Sequence, residues 1–230
     1  MKQLLFAGAA LLLSSGAQAV TYDAFETFNG VQRAGNFAWT SAENQVLTPL
    51  ASVDCVINNT ICLGLPGGAF NLPGVFKSTG IPSTSHPYQP LDRLLVHPGA
   101  SSSLIGFFFA PTAGEYSFEA TLDALTSGTS VGIFALTDAG GVTNVFANGF
   151  LGTLGASRTF TGTFDLAAGE VIGIGVNNAG GFGGDSTGLR FVVTQNIAAV
   201  PEPAAWAMMI GGFALAGTAA RRRTTRIVFA

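Results

Sequence analysis

Two cysteines and two histidines are the side chains of this sequence best suited to bind a metal or to react with one another. Cys55 and Cys62 stand on either side of Asn58 and Asn59, in the nearly palindromic run C-V-I-N-N-T-I-C. Asparagine tolerates the positive φ angles of a type I′ turn, so a hairpin centred on this pair would bring the two sulfurs within bonding reach. We therefore predict a disulfide between Cys55 and Cys62. It closes a small loop and should contribute no more than about 2 kcal/mol.

A zinc site built from both cysteines and both histidines is the chemical alternative. His86 and His97 each precede a proline in loop-like sequence, and their spacing from the cysteines fits no common zinc-ligand pattern. The export signals described below also imply an oxidising compartment, where a cysteine pair forms a disulfide. The sequence therefore favours the disulfide and predicts neither a metal nor a cofactor.

A glycine-rich run at residues 180–188 matches one copy of the calcium-binding nonapeptide, with Asp185 as its acidic position. Calcium rolls of this kind need tandem copies, because each turn supplies only part of the coordination shell. We expect a loop that leads into a strand, and calcium binding by Asp185 stays an open alternative. No nucleophile elbow, His-Glu-x-x-His or comparable set is present in the sequence, so we predict no enzyme.

The elements between these positions read as an all-β domain. Apolar and polar residues alternate with a period of two at 115–122 and 158–166, which is typical of strands with one wet face. Residues 104–110 and 130–136 are apolar on both faces and are predicted to be central strands. Further strands are predicted at 171–177 and 189–194. Short strands between turns rich in Gly and Pro are typical of a single β-sandwich or jelly-roll-like domain.

The charge of this region excludes one class of partner. Residues 20–199 hold twelve acidic side chains and five basic ones. A surface of this kind has no basic footprint for a phosphate backbone, so we expect no nucleic acid as a partner.

The first 19 residues are organised like a secretory signal peptide. Lys2 supplies the positive start, residues 4–13 the apolar core, and Ala17-Gln18-Ala19 the small-x-small cleavage site. We predict a signal-peptide helix, cleavage after Ala19 and a mature chain that begins at Val20. A retained N-terminal anchor is the alternative.

Residues 200–226 combine an acidic turn, an apolar run and an arginine cluster. Two prolines fix the backbone around Glu202 and hold it on a stiff, extended stem. Residues 204–220 carry no charge and are just long enough to form a transmembrane helix. A basic tail at 221–230 would stop transfer and keep the C-terminus in the cytoplasm. The stop-transfer residues are Arg221, Arg222, Arg223 and Arg226.

This C-terminal segment resembles the PEP-CTERM sorting signal in its PEP-x-x-W-A form. The resemblance is carried by Val200, Pro201, Glu202, Pro203, Trp206 and Ala207, with the apolar run and the arginines after them. It implies an exported Gram-negative protein, anchored in the inner membrane with its passenger in the periplasm. It also implies a membrane enzyme, exosortase, that cleaves near the motif and delivers the passenger to the cell surface or the exopolysaccharide matrix. An ordinary single-pass anchor is the alternative.

The region 96–194 is similar to the generic β-sandwich passengers of PEP-CTERM proteins, whose shape is like that of carbohydrate-binding modules. The similarity is carried by the segments at 97–99, 110–116, 168–170 and 185–189. Two hypotheses follow for the passenger at 20–199. One is a non-enzymatic surface or matrix protein in contact with extracellular polysaccharide, and the other is a sugar-binding or adhesive module. In the second, exposed rings stack on the ligand, and Trp39, Tyr88 and Phe182 are the predicted rings.

Overall fold

A computed structural model describes residues 19–126, 131–139, 142–181, 183–197 and 203–223. The chain divides into two compact units, one of which is Ala19–Asn196. The other unit contains both ends of the chain, and its described helix spans Pro203–Arg223.

One sheet of the Ala19–Asn196 unit has eight strands. They are β1 (Val20–Asp23), β4 (Ala51–Ser52), β5 (Thr60–Gly64), β6 (Gly74–Ser78), β7 (Leu94–His97), β9 (Gly114–Ala124), β12 (Ser157–Leu166) and β14 (Thr187–Asn196). Their order is β12-β9-β14-β7-β6-β5-β4, and β1 pairs with β14. The short helix α1 (Ala24–Thr27) follows β1 directly.

The other sheet has six strands. They are β2 (Phe37–Glu43), β3 (Val46–Pro49), β8 (Ser103–Phe109), β10 (Val131–Ala139), β11 (Val142–Leu151) and β13 (Val171–Asn177). Their order is β11-β10-β13-β8-β2-β3, and each neighbouring pair is antiparallel.

The core lies between the two sheets, and aromatic rings from both meet there. Phe37 of β2 contacts Phe191 of β14 with ring centroids 5.2 Å apart. Phe108 of β8 contacts Tyr116 of β9 at 5.7 Å. Because all four rings are buried, each removes a large apolar area from water. The predicted β-sandwich is confirmed.

The predicted strands fall on observed ones where the alternation is regular. Along β9, Tyr116, Phe118, Ala120 and Leu122 are buried, whereas Glu115 and Glu119 are exposed. The doubly apolar segments became β8 and β10, which are both interior strands of the six-stranded sheet, as predicted. The sequence did not predict β11. A register shift beside Ala135 of β10 interrupts the period of two in its partner strand.

Trp39 is buried in the core, with 1% of its surface exposed, so its predicted role as an exposed ring is wrong. Gly106 lies opposite it on β8, and a Cβ there would be 2.5 Å from the indole ring. The indole ring therefore occupies the space that a side chain at position 106 would need. Gln32 completes the site by donating to the carbonyl oxygens of Trp39 and Leu50, both at 2.7 Å.

Candidate functional site

The cysteine pair forms the predicted disulfide, with Cα atoms 5.8 Å apart. The predicted hairpin around it is only partly present. Of the two asparagines in the turn, only Asn59 has a positive φ, at 59°, so the turn is not of type I′. Residues 53–59 belong to no strand, and β5 pairs instead with β4 and β6. The zinc alternative loses both thiolates, because the sulfurs are bonded to each other.

Side-chain hydrogen bonds hold this turn in place of a strand ladder. Ser83 and Ser85 donate their hydroxyl protons to Asn58 Oδ1 at 2.5 and 2.9 Å. Asn58 Nδ2 donates to Thr84 Oγ1 at 2.8 Å. The turn is thereby tied to the proline-rich loop that follows β6, and the two segments form one wall.

A groove of about 400 Å³ opens beside that wall, within the size range of small-molecule sites. We call it the loop groove. Its apolar lining includes Val56, Ile57, Phe70, Phe76 and Leu95. Its polar lining includes His86, Tyr88, His97 and Ser186.

The loop groove brings together the two histidines, both of which the sequence placed in loops. His86 lies in the proline-rich loop, whereas His97 is the last residue of β7, so its loop prediction is wrong. His86 packs edge-on against Tyr88, with ring centroids 5.5 Å apart. His97 Nδ1 lies 2.6 Å from the carbonyl oxygen of Pro98, to which it donates. Burial lowers the pKa of His97 below its usual 6.5, so the ring is neutral at pH 7. The groove therefore combines a neutral imidazole with aromatic walls.

The described residues contain no group of three or more His, Cys, Asp and Glu that could hold a metal ion. Asp185 is fully buried, and its negative charge opposes the effect of burial on the pKa of His97. The glycine-rich run leads into β14, which begins at Thr187. In this arrangement the carboxylate lies inside the domain and not on the loop surface.

A second concavity, of about 440 Å³, lies on the outward face of the six-stranded sheet. We call it the outer-face cleft. Its principal side chains are Phe134, Asn148, Phe150 and Asn177, on strands β10, β11 and β13. Phe150 is 63% exposed, and Phe134 is partly exposed. These residues could not be identified from the sequence, because β11 was not predicted and the register of three strands brings them together.

The predicted ligand-stacking rings lie elsewhere. Trp39 is in the core, Tyr88 is half-buried in the loop groove, and Phe182 lies outside the described residues. Among the described residues of Ala19–Asn196, Phe70 and Phe150 are the most exposed phenyl rings, at 70% and 63%.

The C-terminal segment is described from the second proline of its acidic turn onward. The helix that we call α2 spans Pro203–Arg223 and contains the predicted apolar run. Proline suits a first helical position, because the amide proton it lacks has no partner in the first turn. Trp206, Ala207, Arg221, Arg222 and Arg223 are all on α2. Ala17, Val200, Pro201, Glu202 and Arg226 lie outside the described residues.

Large apolar side chains on α2 are exposed in the structure. They are Met208, Met209, Ile210, Phe213 and Leu215. Across the part of the chain that the structure describes, no helix satisfies both the length and the hydropathy needed to cross a bilayer. The transmembrane helix at 204–220 is therefore not confirmed and stays a prediction.

Residues 199–223 match the family model of the PEP-CTERM protein-sorting motif. The chain carries a PEP-CTERM sorting motif. The match begins just before the acidic turn and ends at the last described residue of α2, so it covers the segment whose residue order suggested the family. The PEP-CTERM motif occupies only this end of the chain.

Solved structures align with parts of the chain at low identity and low TM-score. Murine APRIL is 11% identical, with a TM-score of 0.31, over 70% of this chain and 99% of its own. TmCBM61 in complex with β-1,4-galactotriose is 18% identical, with a TM-score of 0.33, over 53% of this chain and 81% of its own. No curated protein matches the chain in sequence. At these TM-scores the likenesses support no conclusion about the fold or a ligand of this chain.

Proposed function

We propose that this chain is an exported, non-enzymatic protein of the cell surface or exopolysaccharide matrix. It is held in the inner membrane by α2 until exosortase cleaves it near the PEP-CTERM motif. The observation that carries this proposal is the match at residues 199–223. The motif, the apolar run and the arginines occur there in the order that sorting requires.

The character of α2 supports its role as the anchor. Residues 204–220 carry no charge, and the large apolar side chains described on the helix are exposed. In hydrocarbon such side chains are stable, and a helix satisfies its own backbone hydrogen bonds. Arg221 follows the run and starts the basic tail, which prefers the cytoplasmic side. The passenger would then lie in the periplasm.

The start of the sandwich supports removal of the signal peptide after Ala19. Val20 is the first residue of β1 and pairs with Gln195 of β14. Cleavage at this bond leaves β1 complete, because the whole strand lies on the mature side. The mature passenger would therefore keep all eight strands of its larger sheet.

Sugar binding is a second candidate function for the passenger. The observation that favours it is the outer-face cleft, where an exposed phenyl ring, a partly exposed one and two amide side chains lie together on one sheet. An extracellular polysaccharide is the corresponding partner. The two functions are compatible, since a surface protein can be sorted by its tail and bind glycan through its passenger.

Substitution of the acidic turn tests the sorting proposal. A Pro201→Ala/Glu202→Ala variant should stay membrane-bound at its uncleaved size, because exosortase no longer recognises the turn. The measurement is the size and the membrane or medium fraction of the protein in the native host. Glu119→Ala removes an exposed carboxylate from β9 and is the matched control, which should be processed normally. Normal size and release of the Pro201→Ala/Glu202→Ala variant would contradict the proposal.

A further inference from the structure

We infer that the outer-face cleft binds one or two pyranose rings of an uncharged polysaccharide, with Phe134 and Phe150 as stacking rings and Asn148 and Asn177 as hydroxyl ligands. This site rests on the proposed function, since a passenger delivered to the matrix meets polysaccharide. The four side chains come from three adjacent strands of the six-stranded sheet.

Strand register places the four side chains in two rows. In one row, Asn148 of β11 lies opposite Phe134 of β10, which lies opposite Gly175 of β13. In the next row, Phe150 lies opposite Gly132, which lies opposite Asn177. Rings and amides therefore alternate around two glycines. The spacing of strands and residues makes this array roughly 10 Å by 7 Å.

The glycines shape the floor of the cleft. A Cβ at Gly175 would be 2.1 Å from Cζ of Phe134, so this ring leans across β13 into the space that glycine leaves empty. A Cβ at Gly132 would be 2.3 Å from Oδ1 of Asn177, so that amide lies across β10 in the same way. Phe134 packs against the apolar cluster of Ile105, Phe107, Leu136 and Val171 and stays partly exposed, so its exposed side is available to the C–H groups of a pyranose.

The amides supply the polar half of the recognition. Asn177 Oδ1 accepts a hydrogen bond from the backbone N–H of Ala179 at 3.0 Å, which orients the amide and directs its NH₂ group away from that contact. Asn148 is exposed on the edge strand β11, which pairs with β10. Each amide offers donors and an acceptor, which suits vicinal hydroxyl groups.

The absence of charge in the cleft selects the class of glycan. Among its described lining residues there is no Asp, Glu, Lys, Arg or His. An anionic polysaccharide would lose hydration here without gaining a cationic partner. A hydrocarbon ligand would leave the amides unpaired. A neutral pyranose, which has one apolar face and a polar rim, satisfies both halves of the surface.

Binding of glycans by the full-length protein in lipid nanodiscs tests the site. The probes are neutral β-glucan, xylan, mannan and galactan, with alginate as the charged comparison, in affinity electrophoresis and calorimetry. We expect binding to at least one neutral glycan, no binding to alginate, and little dependence on salt. Phe150→Ala should weaken binding roughly three- to tenfold through loss of stacking. Because the Phe150 side chain is 63% exposed, its truncation removes little packing from the fold.

Two further variants distinguish binding at the outer-face cleft from non-specific binding. Gly175→Ala keeps every ring but displaces Phe134, and it should also weaken binding. Phe70→Ala removes a ring of similar exposure from the loop groove and should leave binding unchanged. Near-ultraviolet circular dichroism checks that each variant keeps its fold.

Three outcomes would overturn the inferred site. The first is that no neutral glycan binds, and the second is that Phe150→Ala leaves glycan binding unchanged. The third is that Phe150→Ala abolishes self-association of the protein, which would assign this face to a second copy of the chain. Processing at the PEP-CTERM motif is measured separately. Failure of the site therefore leaves the sorting proposal standing, and failure of sorting leaves the binding result interpretable.

Discussion

At the scale of single residues, glycines decide where large side chains lie in this sandwich. Gly106 admits Trp39 to the core, and Gly175 admits Phe134 to the surface of β13. Neither position has a positive φ, so the reason for glycine is space and not backbone conformation. A glycine opposite an aromatic residue makes room for a core ring in the first case and for a ring of the outer-face cleft in the second.

Gly106→Ala should destabilise the protein by about 1–3 kcal/mol, because the new methyl group would collide with the buried indole ring of Trp39. Urea unfolding followed by tryptophan fluorescence measures the change. Gly152→Ala is the matched control, since a Cβ there meets nothing within 4 Å. Equal stability of the two variants would contradict the packing described for Trp39.

The stability of the passenger should fall as the pH is lowered through 6.5. Burial lowers the pKa of His97 in the folded state, so below its usual value of 6.5 the unfolded chain binds more protons than the folded one. The contribution is fully present above pH 6.5 and is lost as the pH falls. Urea unfolding at a series of pH values measures it, and His97→Gln should flatten the slope. An unchanged slope in that variant would show that other groups cause it.

At the scale of elements, side chains replace ladder hydrogen bonds where strands are short. The disulfide turn is held by Asn58, and α1 is started by Asp23, whose Oδ1 accepts from the backbone N–H of Phe25 at 2.8 Å. The first contact is in the turn directly before β5, and the second lies at the end of β1. Side-chain hydrogen bonds thus fix where these elements begin or end, which hydrophobic packing alone does not determine.

Removal of the disulfide should cost about 2 kcal/mol or less, because the loop that it closes is short. The Cys55→Ser/Cys62→Ser variant and the reduced native chain should unfold at the same lowered urea concentration. Reductant should have no further effect on the variant. A difference between reduced chain and variant would mean that the serines disturb the loop groove beside Val56 and Ile57.

Asp23→Ala should cost about 1 kcal/mol of stability, since it removes the acceptor for two backbone amides of α1. Asp23→Asn is the conservative comparison, because asparagine caps helices equally well. Thermal unfolding of both variants is the measurement. A loss of equal size in Asp23→Asn would assign the effect to charge and not to capping.

The sequence predicted those elements whose pattern is local. Regular alternation in β9 and β12 and doubly apolar runs in β8 and β10 report burial directly, and the disulfide followed from two nearby cysteines. The strand β11 was missed because its bulge breaks the alternation. Neither the loop groove nor the outer-face cleft could be predicted, because each depends on long-range register. Phe134 meets Gly175 only once β10 and β13 are paired.

At the scale of the whole molecule, the two ends of the chain and the sandwich between them have separable tasks. In the proposed function, the predicted signal at residues 1–19 would export the chain, the sandwich would form the mature product, and the PEP-CTERM motif matched at 199–223 would govern its release. Binding of a glycan and sorting by exosortase can therefore be altered independently. Variants in the outer-face cleft should be released normally, and release in the native host measures this.

The most direct test of this account is the intact mass of the protein released by its native host. We predict a product that begins at Val20, keeps the disulfide and ends close to the Pro-Glu-Pro turn, without the arginines at 221–223. A released product that still contains the arginine tail would contradict the account, as would a protein that is never released.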